Sequence, residues 1–258
     1  MKPFWIYYQK EMLEASRTYK WIWVPAVFLL LGIMQPVSTY YLPEILTMSG
    51  EVPPEAAALF TIPSADSVMA STLSQFSTIG LLVLVLAGMN TVAGERATGT
   101  AELVLTRTVS TLPMMGAKWA AMMTLMLVSF ALGLAGAAYY THQLIGPLEW
   151  GAVASGGLLY AVWLAWIVTL VLPLGAVLRG PAAAFISLGT AAALSLLSGL
   201  LPSRFQWSPG RLSSMAAEWM LGAGAGAWAP VIAALLIMLL SIIAAAGLLR
   251  KSPLSPQS

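Results

Sequence analysis

Six stretches of about twenty residues, near 21–42, 72–93, 117–140, 151–178, 182–201 and 228–249, carry almost nothing but apolar side chains, and about twenty residues is the length at which a helix crosses the hydrocarbon of a bilayer. None has an ionisable group in its interior. Inside lipid every backbone N–H and C=O must find a partner within the protein, which leaves helices or a closed barrel. The runs lack the two-residue alternation of barrel strands, so helices are expected. Composition agrees: 59% of the 258 residues are hydrophobic and only 9% are Asp, Glu, Lys or Arg, where a soluble domain carries about a quarter. The expected fold class is therefore all-α, a polytopic membrane protein forming a single transmembrane domain over 1–258. The fourth run is long, and Pro173 is expected to kink it near one end.

Lysine and arginine set the expected orientation. With the N-terminus inside, the inner segments hold Lys2, Lys10, Arg17, Lys20, Arg96, Arg107, Lys118, Arg179, Arg250 and Lys251, and the outer segments only Arg204 and Arg211. The bias predicts both termini in the cytosol. Residues 1–20 are too polar for a cleaved signal and read as an interfacial helix. Phe4, Trp5, Tyr8, Met12, Ala15 and Tyr19 recur at helical spacing, and Lys10, Glu14 and Arg17 share the opposite side.

Several chemistries have no support. Ion-coupled carriers and voltage sensors place ionisable side chains at membrane depth, and these runs offer only Gln75, Asn90 and scattered Ser and Thr, read as helix–helix contacts. Small residues around Gly133 and Gly136, Gly180–Ala184 and Ala244–Gly247 suggest close packing. The chain has no GxxxxGK[ST] phosphate loop, HExxH or GxSxG. With no cysteine and one histidine, His142, no metal site is expected, and no catalytic residue is assigned. Glu44, Glu51, Glu55 and Asp66 in 43–71 read as a solvated acidic loop. The few basic residues border apolar runs, so nucleic acid is not an expected partner, whereas membrane lipid is.

The polar exception is 94–116, which opens GERATGTAELVLTRTVS. Gly94 and Gly99 loosen the backbone after the second run. Thr98 or Thr100 can cap a short helix through Ala101 to Leu105, with Glu102 in its first turn and Arg107 in its last, as the helix dipole prefers. Pro113 is expected to limit any continuation. Such a helix would present Leu103, Val104 and Leu105 to the cytosol, as a docking knob or as a plain anchor loop.

This segment, followed by MMGAK, resembles the cytosolic loop of ABC-2 type permeases. In that family an acidic–basic pair ends the second span. A Gly-Thr step, a short apolar helix, a Pro-Val-Ser-like turn and a lysine opening the third span follow. Here these positions are Glu95–Arg96, Gly99–Thr100, Leu103 to Leu105, Thr108–Val109–Ser110 and Lys118. Thr108 replaces the usual proline. KEMLEASRTYKWIWVP resembles the family's interfacial helix entering the first span, and LGIMQPVSTYY and TLSQFSTIG are similar to Bacillus-type members. The likeness covers the whole chain in layout and residues 8–118 in motif.

The resemblance implies an ABC-2 (type V exporter-like) fold in a bacterial plasma membrane and a permease subunit of an ATP-driven exporter. It implies a permease homodimer bound to two copies of a separate ABC ATPase, which would hold ATP and Mg, so this chain itself would carry no cofactor and would not be an enzyme. Coupling would run through Glu95, Arg96, Gly99, Thr100, Glu102, Leu103, Leu105 and Arg107. Residues 202–227 would match partly re-entrant external elements, a plain external loop being the other reading. The competing classes are an ion-coupled secondary carrier, a membrane-embedded enzyme and a non-transporting adaptor.

The orientation makes a direct prediction. Ser49→Cys and Ser213→Cys should react with an impermeant thiol reagent in sealed cells, and Thr98→Cys and Ser255→Cys only after permeabilisation. Labelling of Thr98→Cys in sealed cells would reverse the orientation.

Overall fold

The structure, a computed structural model, describes residues 2–49, 62–97, 111–224, 226 and 228–251. Helix α1 (Lys2–Arg17) leads into α2 (Lys20–Ser49). The second span is assembled from α3 (Ala65–Gln75), a single π turn (Phe76–Gly80), α4 (Leu81–Gly88) and α5 (Asn90–Ala97). Then come α6 (Thr111–Leu144), α7 (Trp150–Gly175) and α8 (Gly180–Leu200). A 3-10 turn (Pro209–Arg211), α9 (Leu212–Met220) and α10 (Ala229–Lys251) complete the chain. Among the described residues there is no strand. Among the described residues, six helical stretches are long and apolar enough to cross a membrane: Lys20–Met48, Ala65–Glu95, Thr111–Leu144, Trp150–Gly175, Gly180–Leu200 and Ala229–Arg250. The protein is a multi-pass membrane protein.

The helices run past the apolar stretches that announce them. The second span begins at Ala65 rather than near 72, capped by the Ser64 hydroxyl, which accepts the Ser67 N–H at 3.4 Å. Asp66 then lies in the first turn, where the helix dipole favours a carboxylate. With Glu44 inside α2, the expected acidic loop contracts, and its Glu51 and Glu55 lie outside the described residues. The third span begins at Thr111, so 111–116 of the expected loop are helical. Pro113 lies within α6, and the short helix that it was expected to limit lies outside the described residues. Pro173 sits in the last turn of α7, close to where that helix ends at Gly175.

Helix α7 is the axis of the bundle. In its most apolar window 67% of the residues are buried, against 28% in α8 and in α10, which face outward. A chain of aromatic rings crosses the interior from α2 to α7. Centroid separations are 5.2 Å for Phe28–Phe76, 5.7 Å for Phe76–Phe130, 5.3 Å for Phe130–Tyr160 and 5.2 Å for Tyr160–Trp163. These are the offset and edge contacts that ring quadrupoles favour. Gln75 donates to Gln35 between the first two spans, a polar pair at membrane depth. In 202–227, α9 packs against the α7 end that follows residue 149. Its Ala216 and Met220 lie on Gly156, while Gly210 lies on the Leu194 backbone of α8.

The first and third spans cross at glycines. A Cβ on Gly32 would stand 2.1 Å from the Gly133 carbonyl oxygen, and one on Gly133 would stand 2.6 Å from the Phe28 carbonyl oxygen. Both obstacles are backbone, so neither can rotate away. Gly32→Ala and Gly133→Ala should therefore each destabilise the protein by about 1–3 kcal/mol, the usual cost of overpacking. Gly189→Ala on α8, where a Cβ meets nothing within 4 Å, should be neutral. Thermal unfolding in detergent reads the difference, and equal melting points for all three would refute the crossing.

Candidate functional site

Helix α1 lies against the bundle and turns into α2 over two residues. Tyr19 takes a left-handed conformation at φ 56°, with the Ile22 and Trp23 N–H groups returning to its carbonyl. The face that α1 turns inward keeps Phe4, Tyr8, Met12 and Ala15 of the expected apolar face, while Trp5 and Tyr19 are exposed. Glu11 is its buried residue, flanked by the half-buried Phe4, Tyr7, Tyr8 and Ala15. Trp5, Ile6 and Leu13 stay exposed and form a second apolar face, as suits a helix lying between protein and lipid.

Glu11 is buried because Lys118 meets it. Lys118 stands about 10 Å along α6 from its start, at 1.5 Å per residue, and is almost wholly buried. Its ammonium donates to Glu11 Oε1 at 2.6 Å and to the Thr91 carbonyl at 2.9 Å, and lies 2.9 Å from Glu95 Oε1. Lys10 pairs with the same Glu95 oxygen and, at 3.2 Å, with Glu11 Oε1. Burial alone would lower the Lys10 pKa, but the Glu95 and Glu11 carboxylates outweigh it and hold the ammonium above the ordinary lysine range. A raised lysine stabilises fully below the unfolded pKa and loses that contribution only as pH climbs through the folded one, so this ion pair is intact throughout neutral pH.

The cluster ties three elements together at one end of the bundle. Glu95 belongs to α5, the last helix before 98–110, and Lys118 to α6, the first helix after it. α1 therefore clamps both roots of that segment. The same end carries an apolar cluster of Val92, Met114, Met115, Leu172, Ala176, Ala245, Ala246 and Leu249, so the last turns of α10 and the α7–α8 connection meet there too. Between α1 and the spans is a cavity whose walls include Glu11, Glu14, Lys20, Thr91 and Lys118 at one level, and Leu84, Leu125 and Val168 at another.

Of the residues singled out from sequence, Glu95 is in this cluster. Arg96 follows it on α5. Gly99, Thr100, Glu102, Leu103, Leu105 and Arg107 lie outside the described residues, as does the expected short helix. Glu11 and Lys10 were missed as ion-pair partners of the loop's roots. From the sequence Lys118 stood at the edge of the run near 117–140, so nothing marked it as buried and in need of a carboxylate; the structure starts that helix at Thr111 or before and draws Lys118 inside.

No protein-family model matches the chain. It is similar to the uncharacterized transmembrane protein YxlG of Bacillus subtilis (strain 168), with 34% identity over 246 residues that cover 94% of this chain and 95% of that protein.

The ion cluster predicts strong non-additivity. Lys118→Met leaves the buried Glu11 carboxylate with only the half-exposed Lys10 ammonium at 3.2 Å and should cost up to about 3–5 kcal/mol, as breaking one side of a buried pair does. Adding Glu11→Gln should restore much of that loss rather than deepen it. Thermal unfolding of the two single variants and the double variant in detergent gives the coupling; additive losses would mean that the pair does not hold the helix.

Proposed function

The chain belongs to the family of the Bacillus subtilis transmembrane protein YxlG, and from that premise we propose that it is the permease subunit of an ATP-driven ABC-2 type exporter, driven by a separate ATPase through the loop 94–116. The observation that carries this reading is the clamp. An interfacial helix is fastened by Lys10, Glu11, Glu95 and Lys118 to both helices from which the loop springs. A push on the loop would reach the second and third spans and α1 together, because Glu95 and Lys118 are bonded to each other as well as to α1. Charged groups concentrate at this end, and the energy source would be a partner bound there.

On this reading two permease chains pair in a bacterial plasma membrane, with both termini and the loop in the cytosol. Two ATPase subunits supply ATP and Mg. Leu103 and Leu105 enter a groove on the ATPase, Glu102 and Arg107 border them, and Gly99 and Thr100 let the segment turn. Glu95 and Arg96 join it to the second span.

The test compares co-purified ATPase and its turnover in reconstituted membranes. Truncating Leu103 and Leu105 together to alanine removes up to about 1.5–3 kcal/mol of burial per side chain, so ATPase association should fall sharply while membrane insertion survives. Glu95→Gln should leave association largely intact and reduce the stimulation of hydrolysis by substrate, because it loosens the clamp rather than the knob. Glu51→Ala is the control and should change neither quantity. If the double alanine variant behaves like Glu51→Ala in both assays, the loop is an anchor and the coupling role fails.

A further inference from the structure

Outward faces of the bundle are mostly what acyl chains require. α10 exposes Leu235, Leu236, Leu239 and Leu240, and α6 exposes Leu127, Val128 and Leu132. α3 does not follow them. Its exposed residues are Ser71 and Ser74, the π turn continues with Thr78 and Ile79, and the neighbouring α2 adds Ser38. Spacings of three and four residues put Ser71, Ser74 and Thr78 on one face, opposite the core residues Val68, Met69, Leu73 and Phe76.

This face lies within the hydrocarbon rather than beyond it. The Thr141 hydroxyl of α6 meets Met69 Sδ at 3.6 Å, and Thr141 directly follows Tyr139 and Tyr140, an aromatic pair of the kind that marks the boundary of a bilayer. At 1.5 Å per residue, Ser71, Ser74 and Thr78 then stand roughly 3, 8 and 13 Å past that boundary, toward the ion cluster. The three hydroxyls are not equivalent. Ser71 donates to the Ser67 carbonyl at 2.8 Å and Thr78 to the Ser74 carbonyl at 3.1 Å, which leaves each oxygen able to accept. The Ser74 hydroxyl makes no hydrogen bond among the described residues. Its donor is unspent at a depth where acyl chains offer no acceptor.

We propose that this hydroxyl face is the contact between two copies of the chain, paired about a two-fold axis along the membrane normal. The proposal rests on the pairing of two chains in the exporter reading and adds the surface through which they pair. A two-fold axis sets a face against itself, so the face must be its own complement. Here Ser74 of each copy donates to the Ser71 or Thr78 oxygen of the other, which makes two symmetry-related hydrogen bonds and spends both donors. The small side chains at these positions let the two backbones approach, as helix pairs in lipid favour. The leucine faces of α6 and α10 offer neither property and suit lipid.

The chain has no cysteine, so single cysteines report on the face without background. Ser71→Cys, Ser74→Cys and Thr78→Cys, with Leu132→Cys and Leu236→Cys as controls, are oxidised in native membranes, where a disulfide closes only over Cα separations of about 4.4–6.8 Å. At least one of the three hydroxyl positions should give a cross-linked dimer, and the two leucine positions should not. Self-association of the full chain in liposomes is followed by energy transfer. Ser74→Ala should weaken it roughly tenfold, about threefold for each bond lost, and Leu236→Ala should leave it unchanged. Dimers linked through a leucine position and through none of the three hydroxyl positions would keep the pairing and overturn this face. Absence of any dimer would overturn both. Association of Ser74→Ala equal to that of the wild type would overturn the proposal, because the hydrogen bonds would then hold nothing. Labelling of Ser74→Cys by an impermeant thiol reagent, with no cross-link at 71, 74 or 78, would give the face to water or a cargo and overturn it as well.

Discussion

A lysine ammonium taken out of water must be met by opposite charge, or the helix that carries it will not stay where it is. Lys118 imposes that condition on this protein. Its ammonium is almost wholly buried, and desolvating such a group costs several kcal/mol unless carboxylates and carbonyls replace the lost hydration. The replacements come from two helices: Glu11 on α1, and Glu95 together with the Thr91 carbonyl on α5. α1 is also held by the Tyr8 hydroxyl, 3.0 Å from the Thr124 hydroxyl of α6. Its remaining inward residues are only half-buried, and its exposed apolar side chains would be content anywhere in the interface. The ion cluster converts a generic amphipathic helix into one with a fixed place and register.

The length of α6 explains why such a cluster can exist in so apolar a chain. Its 34 residues span about 51 Å at 1.5 Å per residue, well beyond the roughly 30 Å of hydrocarbon. Lys118 lies about 10 Å from the helix start, so the helix can hold it near the boundary where polar groups are tolerated. The partners are equally boundary residues, Glu95 at the close of the second span and Glu11 on a helix that never enters it. Lys10, Lys20 and Lys118 face Glu11, Glu14 and Glu95, so the cluster is neutral as a whole, which is what a region of reduced dielectric demands.

The six spans could be read from the sequence because lipid leaves a strong and local mark, a long run without charge. Their ends could not. Polar residues such as Ser67 and Ser71 continue a helix once Ser64 has capped it, and nothing in their composition says so. On α1 the spacing placed Phe4, Tyr8, Met12 and Ala15 on the face that is half-buried, but not the Glu11 that lies among them. A helix between protein and lipid has two apolar faces, and hydrophobic spacing alone cannot say which one meets the protein. Glu11 looked like a residue for water, and its partner Lys118 is 107 positions away. The π turn at 76–80 left no signature in FSTIG beyond a glycine at its end.

That π turn divides the second span into halves that answer to different neighbours. Above it, α3 is held by Gln35 and by the fourth span, where the Tyr160 hydroxyl donates to the Leu73 carbonyl at 3.0 Å and meets the Ser77 hydroxyl at 2.9 Å. Ser77 also donates to the Leu73 carbonyl, at 2.9 Å. A π turn shifts the regular pattern of hydrogen bonds, and the side chains of Ser77 and Tyr160 supply additional donors where that shift begins. Below it, α4 and α5 run to Glu95, which belongs to the ion cluster and through it to α1 and α6. One half is therefore fastened to the axis of the bundle and the other to its charged end.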